Sequence, residues 1–235
     1  MKNKQTPQNE VDGEQLDRAK QQLSKSQERQ FPMEFEFGGR CFILHKDVFA
    51  PDLFLGSTIY VPHLPLKAGQ SFLDMGCGTA VIGITACLDH DLSYVLCSDI
   101  SLPAVNNAKE NIKMHNLADK VQVVQSDVFS NIPSDRKFDL IFWNFPYMDI
   151  KSDRATYMEM CIFDPDYAMT KRFITEGFDR LNTNGRLMLG FSTTRAPLQA
   201  LKNSIREISF DVEIYHQGTD NNGITQEILN VVKLK

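Results

Sequence analysis

Beyond Gln70 the chain alternates between short unbroken apolar runs and longer stretches whose apolar residues recur every three or four positions. The segments Ser71 to Asp74, Ser93 to Ser98, Val121 to Val124 and Phe138 to Trp143 predict four strands, and Arg186 to Phe191 a fifth. The intervening stretches Ala80 to Leu88, Pro103 to His115 and Ala168 to Leu181 predict helices, the last closed by a turn at Asn182-Thr183-Asn184-Gly185. Pro197 to Ile208 predicts a further helix, followed by two β-like runs, Phe210 to Tyr215 and Glu227 to Leu234, that can pair as an antiparallel edge around a long turn at Gly218 to Gly223. Continuous apolar strands separated by helices imply a mostly parallel sheet covered on both faces. The expected fold is therefore α/β: a Rossmann-like, doubly wound sheet with an antiparallel C-terminal edge strand, in a single domain over residues 67–235.

Two segments precede it. Residues 1–30 form a polar leader, helical or disordered, with a weak apolar stripe at Val11, Leu16, Ala19 and Leu23 and Asp12 as a possible N-cap. Residues 31–66 read as an N-terminal extension. Met33 to Phe37, Gly38-Gly39 and Cys41 to Leu44 predict a hairpin, and the Pro51 to Pro62 segment a short helix.

The most informative stretch is Phe72-Leu73-Asp74-Met75-Gly76-Cys77-Gly78-Thr79-Ala80. It joins the first strand of the sheet to the next helix, where doubly wound sheets bind nucleotide-like ligands. Gly76 and Gly78 let backbone approach a ligand closely, and Asp74 is expected to point a carboxylate into the same crevice. A dinucleotide fingerprint requires a third glycine where this chain has Val81, and an acid before the glycines repels a diphosphate, so a nicotinamide-dependent oxidoreductase is the poorer reading. Two more aspartates end strands. Asp99 follows Asp74 by 25 residues and is next to Ile100; Asp127 is next to Val128. The fourth strand runs into Asn144-Phe145-Pro146-Tyr147.

The glycine stretch resembles the first motif of class I methyltransferases that use S-adenosylmethionine (SAM). That resemblance implies cofactor contacts from Asp74, Gly76, Cys77, Gly78 and Thr79. It places ribose hydroxyls on Asp99, adenine against Ile100, the adenine amino group beside Asp127 and Val128, and a further cofactor contact at Asn144. The Asn-Phe-Pro-Tyr turn is similar to the Asn/Asp-Pro-Pro-Tyr signature of enzymes that methylate planar nitrogens: adenine N6, guanine N2 and the glutamine amide of release factors. It implies catalytic roles for Asn144, Pro146 and Tyr147 and acceptor contacts from Phe145 and Tyr147. A conjugated nitrogen is a poor nucleophile, and accepting hydrogen bonds from its N–H groups orients it and disperses developing charge. Tyr147 can offer a rigid aromatic face.

Over residues 33–192 the chain resembles the small-domain and release-factor glutamine methyltransferase type, including the acidic-Pro element Asp164-Pro165. It departs in Phe145, which replaces the first proline. It also lacks that type's Pro-Arg-Pro-Asp-Thr-Glu box; the comparable region reads Pro51-Asp52-Leu53-Phe54-Leu55-Gly56. These departures, and a leader too short for that type's N-terminal helical domain, argue against the release factor itself as acceptor.

Charge narrows the acceptor further. A formal net charge of −5 disfavours a phosphate-gripping surface, so a protein or small molecule bearing an amide, amine or guanidine-like nitrogen ranks above an RNA base. A binding module without turnover is the remaining alternative, and the Asn144 turn argues against it. The five cysteines are scattered without a C-x-x-C pair, which argues for a reducing compartment. With no signal-peptide core and no apolar stretch of membrane-spanning length, a cytoplasmic location without a membrane partner is expected. The five histidines show no metal spacing, and His45 and His63 alone lie near the predicted entrance.

Overall fold

The computed structural model describes residues 13–151 and 156–235. Its centre is a seven-stranded sheet of order β5-β4-β3-β6-β7-β9-β8. The strands are β3 (Ser71–Met75), β4 (Tyr94–Asp99), β5 (Val121–Gln125), β6 (Phe138–Trp143), β7 (Leu181–Phe191), β8 (Phe210–Thr219) and β9 (Thr225–Lys233). The first five pair in parallel; β9 inserts antiparallel between β7 and β8. Strand side chains alternate between faces. Phe72 therefore joins the core on one side of the sheet, and Leu73 and Met75 the core on the other.

Helices α3 (Val81–His90), α4 (Leu102–Met114), α5 (Ala168–Phe178) and α6 (Leu198–Arg206) cover the faces. Strand order reverses between β3 and β6, so the carboxyl ends of these two strands flank the crevice where such sheets bind ligands.

The hairpin of β1 (Met33–Phe37) and β2 (Arg40–Leu44) forms a separate two-stranded sheet. It is tied to α4 rather than hanging free. Buried Asn107 and Asn111 each donate to the Ile43 carbonyl (2.8 and 2.9 Å), while their side-chain oxygens accept from His45 N and Ile43 N. The Pro51 to Pro62 segment holds α2 (Gly56–Tyr60), continued by a 3-10 turn at Val61–His63.

Of the two readings of the leader, its described part is a helix, α1 (Gly13–Gln27). Ala19 and Leu23 are its buried face, packed on Met148, Ile162 and Phe163. Val11 and the suggested cap Asp12 lie outside the described residues.

Two boundaries differ from expectation. The helix anticipated through Leu181 stops at Phe178, and Leu181 already pairs with Phe138. The anticipated turn at Asn182 to Gly185 survives as a bulge inside β7: the register jumps from Phe138↔Leu181 to Leu140↔Arg186. The bulge is held by Asn182 donating to Asp139 at 2.9 Å and by Asn184 at φ +64°. The anticipated long turn at Gly218 to Gly223 is shorter, because pairing with β9 carries β8 to Thr219. The reversal then rests on Asp220, whose carboxylate accepts from Asn222 N and Ile224 N.

Candidate active site

The glycine turn leaves β3 with Gly76 at φ +61° and Gly78 at φ +53°, a region costly for residues with a Cβ. The two glycines serve different ends. A Cβ on Gly76 would sit 2.5 Å from Trp143 Nε1, so this glycine lets the turn lie against β6. A Cβ on Gly78 would meet nothing within 4 Å; its face is open to the cleft. Ala80, at φ +62°, completes the reversal into α3.

Asp74 is placed differently from expectation. Its side chain is 1% exposed and lies under the turn, where one oxygen accepts from Gly83 N at 2.9 Å. Gly83 carries one of the N-terminal helix amides that have no partner within α3, so Asp74 acts as a cap donated from the strand. Burial raises its carboxyl to about pKa 7, against the stabilising Gly83 bond and with a smaller push from Asp99. The physical reason is side-chain alternation. Asp74 shares its face of β3 with Phe72, towards α3, while the cleft opens above the strand end.

Asp99 does face the cleft. Oδ2 accepts from Gly78 N and Oδ1 from Ser101 N, each at 2.9 Å, so one carboxylate clamps the glycine turn to the start of α4. Burial raises its pKa and these backbone donors oppose the rise. Ile100, Asp127 and Val128 complete this end of the cleft. Val128 is buried at φ +49°, and Asp127 accepts both contacts of Arg172 Nη1 at 3.1 Å. Cys77 and Thr79 are buried within the turn, the Cys77 thiol in hydrogen-bond contact with Cys97.

The residues that line this end fit a SAM molecule. The open face at Gly78 admits a ligand against bare backbone, and the adjacent Asp99 carboxylate is an acceptor suited to ribose hydroxyls.

Asn144, Phe145, Pro146 and Tyr147 leave the neighbouring strand β6 and line the same cleft. Asn144 is half-buried, and among the described residues no group hydrogen-bonds its carboxamide. Phe145 lines the cleft, but its ring is 1% exposed and packs on Phe191 at 6.1 Å and Trp143 at 6.2 Å. Its ring is thus a support for the turn, where an acceptor contact was expected. Tyr147 packs at a tilt against the same aromatic group, its ring centroid 5.4 Å from that of Phe191, and its phenol is pushed up to about pKa 12, chiefly by burial. Trp143 belongs to the core. The turn is pinned by Tyr167 Oη donating to Tyr147 O, and by Met148 exchanging backbone bonds with Ile162 and Asp164. Asp164 then caps α5 through Met169 N, Thr170 N and Thr170 Oγ1.

Sequence reasoning did not single out the residues beyond Tyr147. Tyr60, Arg195, Asp220 and Gln226 extend the cleft away from the glycine turn, and Ala19 of α1 joins its lining. Tyr60 is 1% exposed, with Oη bonded to Phe191 O at 3.1 Å and Gln226 Oε1 at 2.8 Å. The available signal was that Arg195 follows the carboxyl end of β7, the same edge that carries the glycine and Asn144 turns. Neither His45 nor His63 enters: His45 pairs with Glu110 at 2.7 Å, and His63 stacks on His216 at 3.6 Å.

Residues 40–213 match the family described as methyltransferase small domain. The chain belongs to that family. Among curated relatives, it is 34% identical over 116 residues to the release factor glutamine methyltransferase of Clostridium botulinum, covering 48% of this chain and 41% of that one. It is 32% identical over 140 residues to the ribosomal protein uL3 glutamine methyltransferase of Francisella tularensis, covering 56% and 44%. The small-domain chain thus spans less than half the length of these two relatives. A Geobacter sulfurreducens SAM-dependent methyltransferase, solved in complex with S-adenosyl-L-homocysteine, shares the fold at a TM-score of 0.53 and 14% identity, covering 79% of this chain and 92% of that one. No described helix is long and apolar enough to cross a membrane.

Proposed function

We propose that this protein is a SAM-dependent N-methyltransferase whose acceptor is a planar amide nitrogen of a protein, a glutamine side chain in the first instance. The observation that carries the reading is Asn144, whose unpartnered carboxamide lies in one cleft with the open face of the glycine turn. Bound SAM supplies an electrophilic methyl group on a sulfonium. The chain's residues supply position. The Asn144 oxygen accepts one N–H of the acceptor amide and holds its nitrogen in place, which contributes through orientation and through dispersal of the positive charge that develops. Tyr147 offers a flat face to the amide plane, and its neutral phenol is not a base at physiological pH. Pro146, buried at the turn, fixes the backbone between the two. Release of the proton from the methylated nitrogen to water follows without a buried general base, because an N-alkylated protonated amide is a strong acid.

The glutamine methyltransferase names of the relatives support a protein acceptor. A cytoplasmic setting is proposed on the same ground. The test is tritium transfer from labelled SAM into extract fractionated into protein, RNA and small molecules. Label in protein is expected, and label in RNA alone would sink the protein-amide reading. Asn144→Ala should keep S-adenosylhomocysteine affinity within about twofold yet lose about 100-fold or more in turnover, the scale of removing one oriented hydrogen-bonding group. Unchanged turnover in that variant would remove the N-methylation mechanism.

A further inference from the structure

Arg195 enters the acceptor end of the cleft, and among the described residues it has no counter-ion. It sits in the turn after β7, with its main-chain N bonded to Ser192 O at 3.1 Å, and is half-buried beside Tyr147 and Tyr60. Its guanidinium is held by neutral groups. Nη2 donates to Gln22 Oε1 at 3.0 Å, and the head lies 5.8 Å from the Phe54 ring centroid. Gln22 is itself fixed by its amide donating to Leu53 O, so α1 and the loop at Leu53-Phe54 hold the arginine from both sides.

Two carboxylates lie in the same region, and neither pairs with Arg195 among the described residues. Asp220 is occupied by Asn222 N, Ile224 N and Gln226 Nε2. Glu227, fully buried, is occupied by Thr193 N, Thr193 Oγ1 and Gln217 Nε2. A guanidinium has five donors in a fixed fork that matches a carboxylate. Here one donor is used on protein among the described residues, and the residue lines the cleft.

We propose that Arg195 anchors the acceptor through a carboxylate carried beside the amide to be methylated. The inference rests on the N-methyltransferase reading above. It makes the acceptor an acidic segment or a chain end, and it makes Gln22 a positioning residue, so that the leader helix builds part of the acceptor site.

The experiment uses the full chain saturated with S-adenosylhomocysteine and three probes: N-acetylglutamine, a doubly blocked glutamine–glutamate dipeptide, and the matching glutamine–glutamine dipeptide. At least one carboxylate probe is expected to bind about tenfold or more tighter than the neutral one, the scale of one charge-assisted bond. N-acetylglutamine leading assigns a chain-terminal carboxylate, and the blocked glutamate dipeptide leading assigns an acidic side chain. Arg195→Ala should abolish the preference while S-adenosylhomocysteine affinity stays unchanged, and Gln22→Ala should shrink it without weakening the neutral probe. Equal binding of all three probes, whether tight or absent, or a preference that survives Arg195→Ala, overturns the proposal. Methyl transfer is scored separately: a carboxylate preference without transfer leaves Arg195 assigned and defeats the catalytic reading, and transfer without a preference does the reverse.

Discussion

Replacing Asp74 by Asn tests the placement of this residue through stability alone. The variant keeps a side-chain oxygen for Gly83 N but cannot ionise. In the wild type, burial raises the carboxyl from 3.8 to about 7 in the folded state. The raised value means that folding favours the protonated form. Its contribution is fully present below about pH 3.8 and is lost as pH rises through about 7. Across that window the wild type loses about 1.4 kcal/mol per pH unit, roughly 4 kcal/mol in all for a shift of about three units. The Asn variant does not share this loss, and titrations common to both proteins cancel in the difference. The advantage of Asp74→Asn should therefore grow from about pH 4 to about pH 7 and level off above it. The assay is urea unfolding of both proteins without added cofactor, from about pH 4.5 to about pH 8.5, followed by the fluorescence of the single tryptophan, Trp143. A difference that is flat across this range, or that falls with pH, would refute the reasoning and place the carboxylate in solvent.

Gly76→Ala puts a Cβ 2.5 Å from Trp143 Nε1 at φ +61°, so about 1 kcal/mol of backbone strain and about 1–3 kcal/mol of overpacking should lower stability together. Calorimetry should show S-adenosylhomocysteine affinity reduced more than about tenfold by the displaced turn; wild-type affinity would mean the glycine is not what seats it. Tyr60→Phe removes the hydroxyl bonded to Phe191 O and Gln226 Oε1 inside the protein and should cost about 1–3 kcal/mol in chemical unfolding. Loss of stability with unchanged S-adenosylhomocysteine binding is the outcome expected of a group at the acceptor end, and equal loss of both would merge the two ends of the cleft.

The order of elements was legible along the chain because each strand and helix is set by local periodicity and by turn residues at its ends. The β3 run, the Gly76-Cys77-Gly78 reversal and the Asn144 to Tyr147 turn are contiguous pieces whose chemistry needs no knowledge of distant neighbours. What only the packing decided is where side chains at those positions go. Asp74 turned away from the cleft because its side of β3 is the α3 side, a choice made by sheet pairing. Phe145 became a support because Trp143, Tyr147 and Phe191 surround it. The acceptor end lay furthest beyond a linear reading. Gln22 and Arg195 meet across 173 residues, and Tyr60 and Gln226 across 166. A polar residue in a leader or after a strand carries no local mark of the partner it will find. The fold, not the pattern, brings α1 to the mouth of the cleft, where Ala19 and Leu23 are buried against the loop that follows Asn144.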